Sequence, residues 1–364
     1  MRFLGSWSDR LSLAVVGLTT LIVACGDKQT EFVNIVPPPP VFNGSVFTQT
    51  NLVADTASYG APVIDPDLVN SWGIAFGPTG NLWVANAETG TSTVYSASGA
   101  KQPLTVAIPT SGAATGGAPT GIVANATADF VIAGGPAAFI FAGEDGVISA
   151  WNAASGTNAV VVADRSGNGA VYKGIAMGSR NGQNVLFATN FKGNNVDVFD
   201  ANFQYVASFT DGTLPAGYAP FGIQNIGGLI YVTFAKQLAP DNEDDEAGPG
   251  NGYVDVFNPD GTLARRFASG GGLNAPWAIA LAPAGFGTFG GRILIGNFGD
   301  GQIGAYDATT GAFVDFLRDA NGVAISIDGL WGLTFGPAPA ERTLYFASGP
   351  NGETHGLVGT LVAR

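Results

Sequence analysis

Few side chains in this sequence could do chemistry, and they fall at recurring places. His355 is the only histidine and sits beside an acid in Glu353-Thr-His-Gly356. A lone histidine near a carboxylate suits acid–base work or a polar ligand contact. Asn86, Asn190 and Asn297 each follow a short apolar run, and Glu144 follows another. Amide and carboxylate oxygens in such a set suit a hard cation, Ca²⁺ before any other, or a polar ligand. Asparagine at the end of a strand also makes Asx turns, which is the structural alternative for all three. Lys173 stands among apolar neighbours, so its ammonium requires an acid or a ligand. Glu144 or Asp145 is the expected partner. The run Asp241-Asn-Glu-Asp-Asp-Glu246 is rich in oxygen donors but lacks EF-hand spacing, and reads better as a solvated acidic loop. Gly-x-Ser-x-Gly, the phosphate loop and His-Glu-x-x-His are all absent. Histidine-rich metal catalysis is excluded by count.

Those residues must be held by some scaffold, and an internal repeat supplies it. A Gly-apolar step recurs at Gly73-Ile74, Gly121-Ile122, Gly174-Ile175, Gly222-Ile223, Ala278-Ile279 and Gly332-Leu333. A second series, each member ending in Asn or Asp, reads Ile148–Asn152, Val196–Asp200, Val254–Asn258 and Ile303–Asp307. Asn or Asp before a tight turn is the expected chemistry. Each unit of about 50 residues holds four short strands, a period typical of propeller repeats. The expected fold is therefore all-β, a β-propeller of six blades rather than seven. A β-helix has shorter coils, and a sandwich does not repeat one motif six times. The sixth unit stops at a third strand, Leu357–Val362, while Val46–Val53 precedes the first unit without a partner. The N-terminal strand, residues 46–54, is expected to complete the last blade and close the ring.

In this topology the starts of first strands and the ends of second strands open on one mouth of the channel. Asn86, Glu144, Lys173, Asn190, Asn297 and His355 are the candidate ligand-binding residues there. Asn86, Asn190, Asn297 and Glu144 are the candidate cation ligands. Trp72, Phe221, Trp277 and Trp331 lie nearby, read mainly as packing at the tapering centre.

The ends of the chain carry export signals. Arg2 and Arg10 precede an uncharged apolar run, Leu11–Ala24, too short to span a bilayer comfortably. Ile22-Val-Ala-Cys-Gly26 resembles the lipobox of bacterial lipoproteins, which makes residues 1–24 a signal peptide and Cys25 the lipidation site. Cys25 is the only cysteine, so no disulfide is expected. Residues 25–45 hold four consecutive prolines, Pro37–Pro40, and read as a stiff tether. Residues 46–364 form the propeller. Losing Arg2, Arg10 and Asp9 moves the formal charge from −13 to −14. Nucleic acid is not an expected partner for so acidic a chain. The expected partners are a membrane through the anchor and an unknown protein or small polar ligand, and the expected state is a monomer.

The units resemble NHL repeats and, more closely, a bacterial propeller family associated with PEP-CTERM sorting systems. The matching stretches include Asp67–Ala75, Phe139–Gly146, Val171–Gly174, Gly250–Phe257 and Gly349–Gly356. After Leu361-Val-Ala-Arg364 the sorting tail of such proteins is not expected here. The resemblance implies fold and export and no activity. Two functions stay open: a ligand- or protein-binding module of the cell envelope, and a metal-dependent hydrolase or lyase with its site at the channel mouth.

Overall fold

The computed structural model describes residues 44–364. The signal-peptide, Cys25 and proline-run readings lie outside the described residues, as does nearly all of the tether.

The described chain is a six-bladed β-propeller. Blade one pairs Ser71–Phe76, Leu82–Asn86, Thr91–Tyr95 and Lys101–Ala107 in order, all antiparallel. Blades two to five repeat that plan, starting at Pro119, Tyr172, Tyr218 and Pro276. Blade six is built from both ends of the chain. Leu330–Phe335, Thr343–Ser348 and Leu357–Ala363 are followed in the sheet by Phe47–Ala54, antiparallel to the last of them. The ring thus closes as the unpaired strands require. Val63–Ile64 adds a short parallel strand outside Phe47–Ala54, which the sequence did not announce. Phe47 is buried against Phe286 and Phe289, with ring centroids 5.0 and 5.8 Å away.

The Gly-apolar step has a steric cause. At the waist of the channel each first strand lies backbone to backbone against its neighbour. A Cβ on Gly73 would come within 2.5 Å of the Thr120 carbonyl, one on Gly121 within 2.6 Å of Ile175 N, and one on Gly332 within 2.4 Å of the Trp72 carbonyl. Gly222 is tightest, 1.8 Å from the Trp277 carbonyl. Glycine alone fits such an approach. The apolar residue that follows turns into the slab between two blades, as strand alternation dictates. Ile74, for instance, packs with Val84, Tyr345 and Val358, sealing blade one against blade six.

The core is accordingly divided. One apolar cluster fills each junction between neighbouring blades. A seventh, of Trp72, Phe191, Phe221 and Trp331, plugs the channel towards one mouth. The waist next to it is a narrow space of about 60 Å³. The two mouths differ sharply. One opens into a basin of about 550 Å³ lined by residues such as Phe76, Val123, Met177 and Gln224, with no charged side chain. The other holds the charged groups.

Candidate ligand site at the channel mouth

The charged mouth is made by the turns between second and third strands. Each blade sends that turn to the same face. Blade one supplies Glu88, blade two Glu144, blade three Phe191, blade four Asp244 and Asp245, blade five Phe298 and blade six Glu353. Asn70, Trp72, Lys173 and Trp331 come from the starts of first strands or the residue just before. Together these residues, Phe191 excepted, line a cavity of about 360 Å³. Alternating strand direction explains the convergence: a second strand always ends where a first strand begins.

Lys173 is the centre of this arrangement. It occupies the register position that is Trp72, Thr120, Phe221, Trp277 and Trp331 in the other blades. Only 2 % of it is exposed. Its Nζ is ion-paired to Glu144 and lies 3.4 Å from Asp244. Below, it stands 5.3 Å from the Trp72 ring centroid and 6.0 Å from that of Phe191, within cation–π reach. Burial alone would push its pKa down, but the surrounding Glu144, Asp244 and Asp245 carboxylates offset this and the net shift is upward. Lys173 is therefore a fixed ammonium.

Beneath the charges lies an aromatic floor. Trp72 and Trp331 stack at 3.6 Å between centroids, and Phe298 stacks on Trp331 at 3.9 Å. Both indole N–H groups donate to Asn70 Oδ1, at 2.7 and 3.2 Å. The Asn70 amide in turn donates to Glu353 at 3.1 Å. The third indole, of Trp277, donates to the Lys173 carbonyl at 3.0 Å. Floor and wall are thus joined by hydrogen bonds.

Two acids of the wall have displaced pKa values. Burial raises Asp245 to about 7, against the pull of Lys173 and with help from Glu353 and Asp244. Although Asp245 is partly exposed as a residue, its Oδ2 is fully buried and has no hydrogen-bond partner. Burial also raises Glu353; the Asn70 amide works the other way, and Glu144 adds to the rise. Five carboxylates thus face one ammonium across the cavity.

The acidic run 241–246, expected to be a solvated loop, keeps Asp241, Glu243 and Asp244 exposed, and Asp244 and Asp245 also line the cavity. Glu243 pairs with Lys192 at 2.6 Å and Glu246 with Lys236 at 2.8 Å. Gln237 Nε2 donates to the Phe191 carbonyl at 2.8 Å, tying the loop to blade three. Gly248 N donates to Asn274 Oδ1 at 2.7 Å, tying it to blade five.

The three asparagines do not form a ring of cation ligands. Asn86 Nδ2 donates to Thr91 and Thr93 hydroxyls, at 3.1 and 3.0 Å, closing the turn that carries Glu88. Asn190 Oδ1 accepts from Val171 N at 3.2 Å and Gly193 N at 3.0 Å, closing the turn that carries Phe191. Asn297 Oδ1 accepts from Asn274 N at 3.1 Å, and its amide donates to Gly272 and Asp300. None of the three lines the cavity. Glu144, the remaining candidate cation ligand, is taken by Lys173. The residues present do not fit Ca²⁺ as expected: two of the three amide oxygens already accept hydrogen bonds. Among the described residues no group of three or more His, Cys, Asp or Glu side chains is arranged to hold a metal.

His355 also stands off the cavity. Its Nδ1 is 2.7 Å from Asp55, at the end of the closing strand, and its ring meets Tyr59 edge-on. Asp145 hydrogen-bonds Val147 N and leaves Lys173 to Glu144. Of the six candidate ligand-binding residues, the structure brings Glu144 and Lys173 together at the mouth. Asn70, Glu88, Asp244, Asp245, Phe298 and Glu353 were missed as site residues. For all but Asn70 the signal was position in the turn after a second strand.

No protein-family model matches the chain. An uncharacterized protein of Acanthamoeba polyphaga mimivirus is 33% identical over 334 residues, covering 88% of this chain and 79% of that protein. A second uncharacterized mimivirus protein is 33% identical over 312 residues, covering 82% and 81%. The chain belongs to their family. Among solved structures, virginiamycin B lyase from Staphylococcus aureus superposes with a TM-score of 0.51 at 16% identity, covering 87% of this chain and 99% of that one. A streptogramin B lyase gives 0.54 at 14% identity, covering 88% and 98%. A protein of unknown function from Bacteroides thetaiotaomicron gives 0.54 at 11%, covering 82% and 70%. At such identities the likeness is one of fold, and it agrees with the propeller. The two relatives by sequence are mimivirus proteins, not the PEP-CTERM-associated bacterial proteins that the repeats resemble.

Proposed function

We propose that the protein is a binding module, a cell-envelope lipoprotein whose propeller takes a small polar ligand at the Lys173 mouth. The observation that carries this reading is convergence: turns from five blades, and the first strand of blade three with its buried, ion-paired lysine, meet around one cavity. Its lining contains no Ser, Thr, Cys or His. No hydroxyl, thiol or imidazole nucleophile is therefore built into it. Lys173, held as an ammonium, is no nucleophile either.

The anchored half of the proposal rests on the lipobox-like Ile22–Gly26 and on where the chain enters the fold. Val46 lies at the rim opposite the charged mouth, because Phe47 pairs with Ala363 while Ala54 pairs with Leu357.

The second reading is a hydrolase or lyase. Its support is Asp245, whose pKa near 7 suits a general base, and the fold shared with two lyases. The metal dependence expected of such an enzyme finds no ligand set here.

Ligand-observed NMR on the full chain with a panel of polar metabolites separates these readings. A binding module gives compounds that bind without being consumed and that lose binding in Lys173→Met. Leu281→Ala, on an exposed side chain of the apolar mouth, retains them. Consumption of a bound compound would move the protein to the second reading. For the anchor, Cys25→Ala should leave the membrane fraction. A free Cys25 thiol on wild-type protein, with no lipid mass, would remove the lipoprotein claim.

A further inference from the structure

Blades three and four bury the same aspartate but surround it differently. Asp197, in the third strand Asn195–Phe199, and Asp255, in Tyr253–Phe257, share one register position, and both are fully buried. In blade three the carboxylate has a donor and a cation. Tyr172 OH donates to Asp197 Oδ2 at 2.8 Å, and Arg165, from the loop before the blade, lies 3.2 Å from the same oxygen. In blade four both partners change. The register position of Tyr172 is Pro220, which offers no donor. The loop before the blade supplies an acid, Asp211, where the other supplied Arg165. The cation comes instead from the outer strand, Leu263–Ser269. Arg266 pairs with Asp255 Oδ1 through Nε and, at 2.5 Å, with Asp211 Oδ2 through Nη2.

Two carboxyl side chains, at most 2% exposed, therefore share one guanidinium. Asp255 Oδ2 is buried and has no donor. With both acids ionised, one buried charge has no counter-ion, which is costly. One proton on the pair cancels that charge and makes Oδ2 a donor to Asp211, in place of the missing tyrosine. Asp211 is also the one buried residue of loop 210–217, which joins blade three to blade four.

We propose that Asp211, Asp255 and Arg266 form a proton-operated latch, which holds loop 210–217 against blade four while the acid pair keeps one proton and frees the loop when that proton leaves. Burial raises Asp255 to about 7, with Arg266 opposing the rise and Asp211 adding to it. Asp211 moves down, its burial outweighed by hydrogen bonds from Thr213 and Arg266. The groups packed against Asp255 are Arg266, Asp211, Val232 on the second strand, and Tyr253. The Tyr253 ring lies 5.0 Å from the guanidinium and edge-on to Tyr218, on which Lys236 and Glu246 bear. The closed loop holds a proton that an open one gives up, so closure is favoured at low pH and lost as pH rises through about 7. Gly217, at the loop's end, accepts Gln237 N at 2.7 Å. Gln237 begins the loop that brings Asp244 and Asp245 to the charged mouth, so the latch bears on that wall whatever the mouth takes.

The test is amide hydrogen exchange of the full chain at about pH 6 and about pH 8.5, corrected for intrinsic rates. Protection of residues 210–217 is expected to fall about tenfold between them, the change that a closed-state pKa of about 7 permits. Residues 165–171, where Arg165 meets a single acid, are the internal control and should keep their protection. Asp255→Asn gives Asp211 a permanent donor, and Asp211→Asn leaves Arg266 a single acid; either should make the protection of 210–217 independent of pH. Circular-dichroism melting checks that each variant is folded, and where one is not the other decides. The proposal is overturned by equal protection of 210–217 at the two pH values, by an equal fall in 165–171, or by a fall that survives in a folded variant.

Discussion

Asn190 closes a turn with the same group that a ligand site would have used. Its Oδ1 already accepts two backbone N–H groups, from Val171 and Gly193. Asn190→Ala is therefore expected to cost about 1–3 kcal/mol of stability in urea unfolding, the penalty for leaving buried donors unpaired. Unchanged stability would mean that the amide is free for a ligand after all. Asp245 gives a second test, in pH. Its native pKa, about 7, lies above the ordinary carboxylate value of 3.8. Between those values the native chain holds a proton that the unfolded chain has released, so this group's contribution to stability falls as pH rises from about 4 to 7. Asp245→Asn removes that part of the decline. Urea unfolding at pH 5 and pH 8 should show the variant gaining on wild type at the higher pH, and parallel slopes would contradict the assignment. Lys173 was legible in the sequence because a lysine in an apolar strand needs a partner. The asparagines were ambiguous in the sequence because amide oxygens suit turns and metals alike. Only hydrogen-bond partners tell the two apart.

The strands were legible because their cause is local and repeated. Gly73, Gly121, Gly222 and Gly332 each answer to a backbone on the neighbouring blade, so the motif marks the waist of the channel. Ala278 breaks the pattern and still sits at the same register. The loop 237–252 was not legible in the same way. Its acids are fixed by Lys173, Lys192 and Lys236, none adjacent to them in sequence, and no periodic pattern encodes those pairings. Asp244 is largely exposed, as such a loop suggests, whereas the burial of Asp245 Oδ2 was not legible. The closing strand offers the plainest test of an element. Phe47 and Val53 are buried in it, each worth about 1.5–3 kcal/mol of burial. Deleting residues 46–54 should lower the melting temperature, lower the unfolding free energy by at least about 3 kcal/mol, and promote aggregation through the bared edge of Leu357–Ala363. A monomer that melts unchanged would show that the ring does not depend on this strand.

The interior of this propeller is largely apolar. Each blade junction is apolar, the waist is closed by glycine and isoleucine, and one mouth carries no charged group. Against that background a buried lysine with five acids around it has no packing purpose. Ion pairs in such places are commonly replaceable by apolar side chains without loss of stability. The central claim is that the Lys173 cluster exists for a ligand. Its most direct test is the urea-unfolding free energy of the charge-balanced double variant Lys173→Met/Glu144→Gln. If the cluster serves binding, the double variant is as stable as wild type or more stable by about 1–4 kcal/mol, while every ligand-induced stabilisation disappears. A loss of several kcal/mol, with ligand response retained, would contradict the account and make the pair a structural tie.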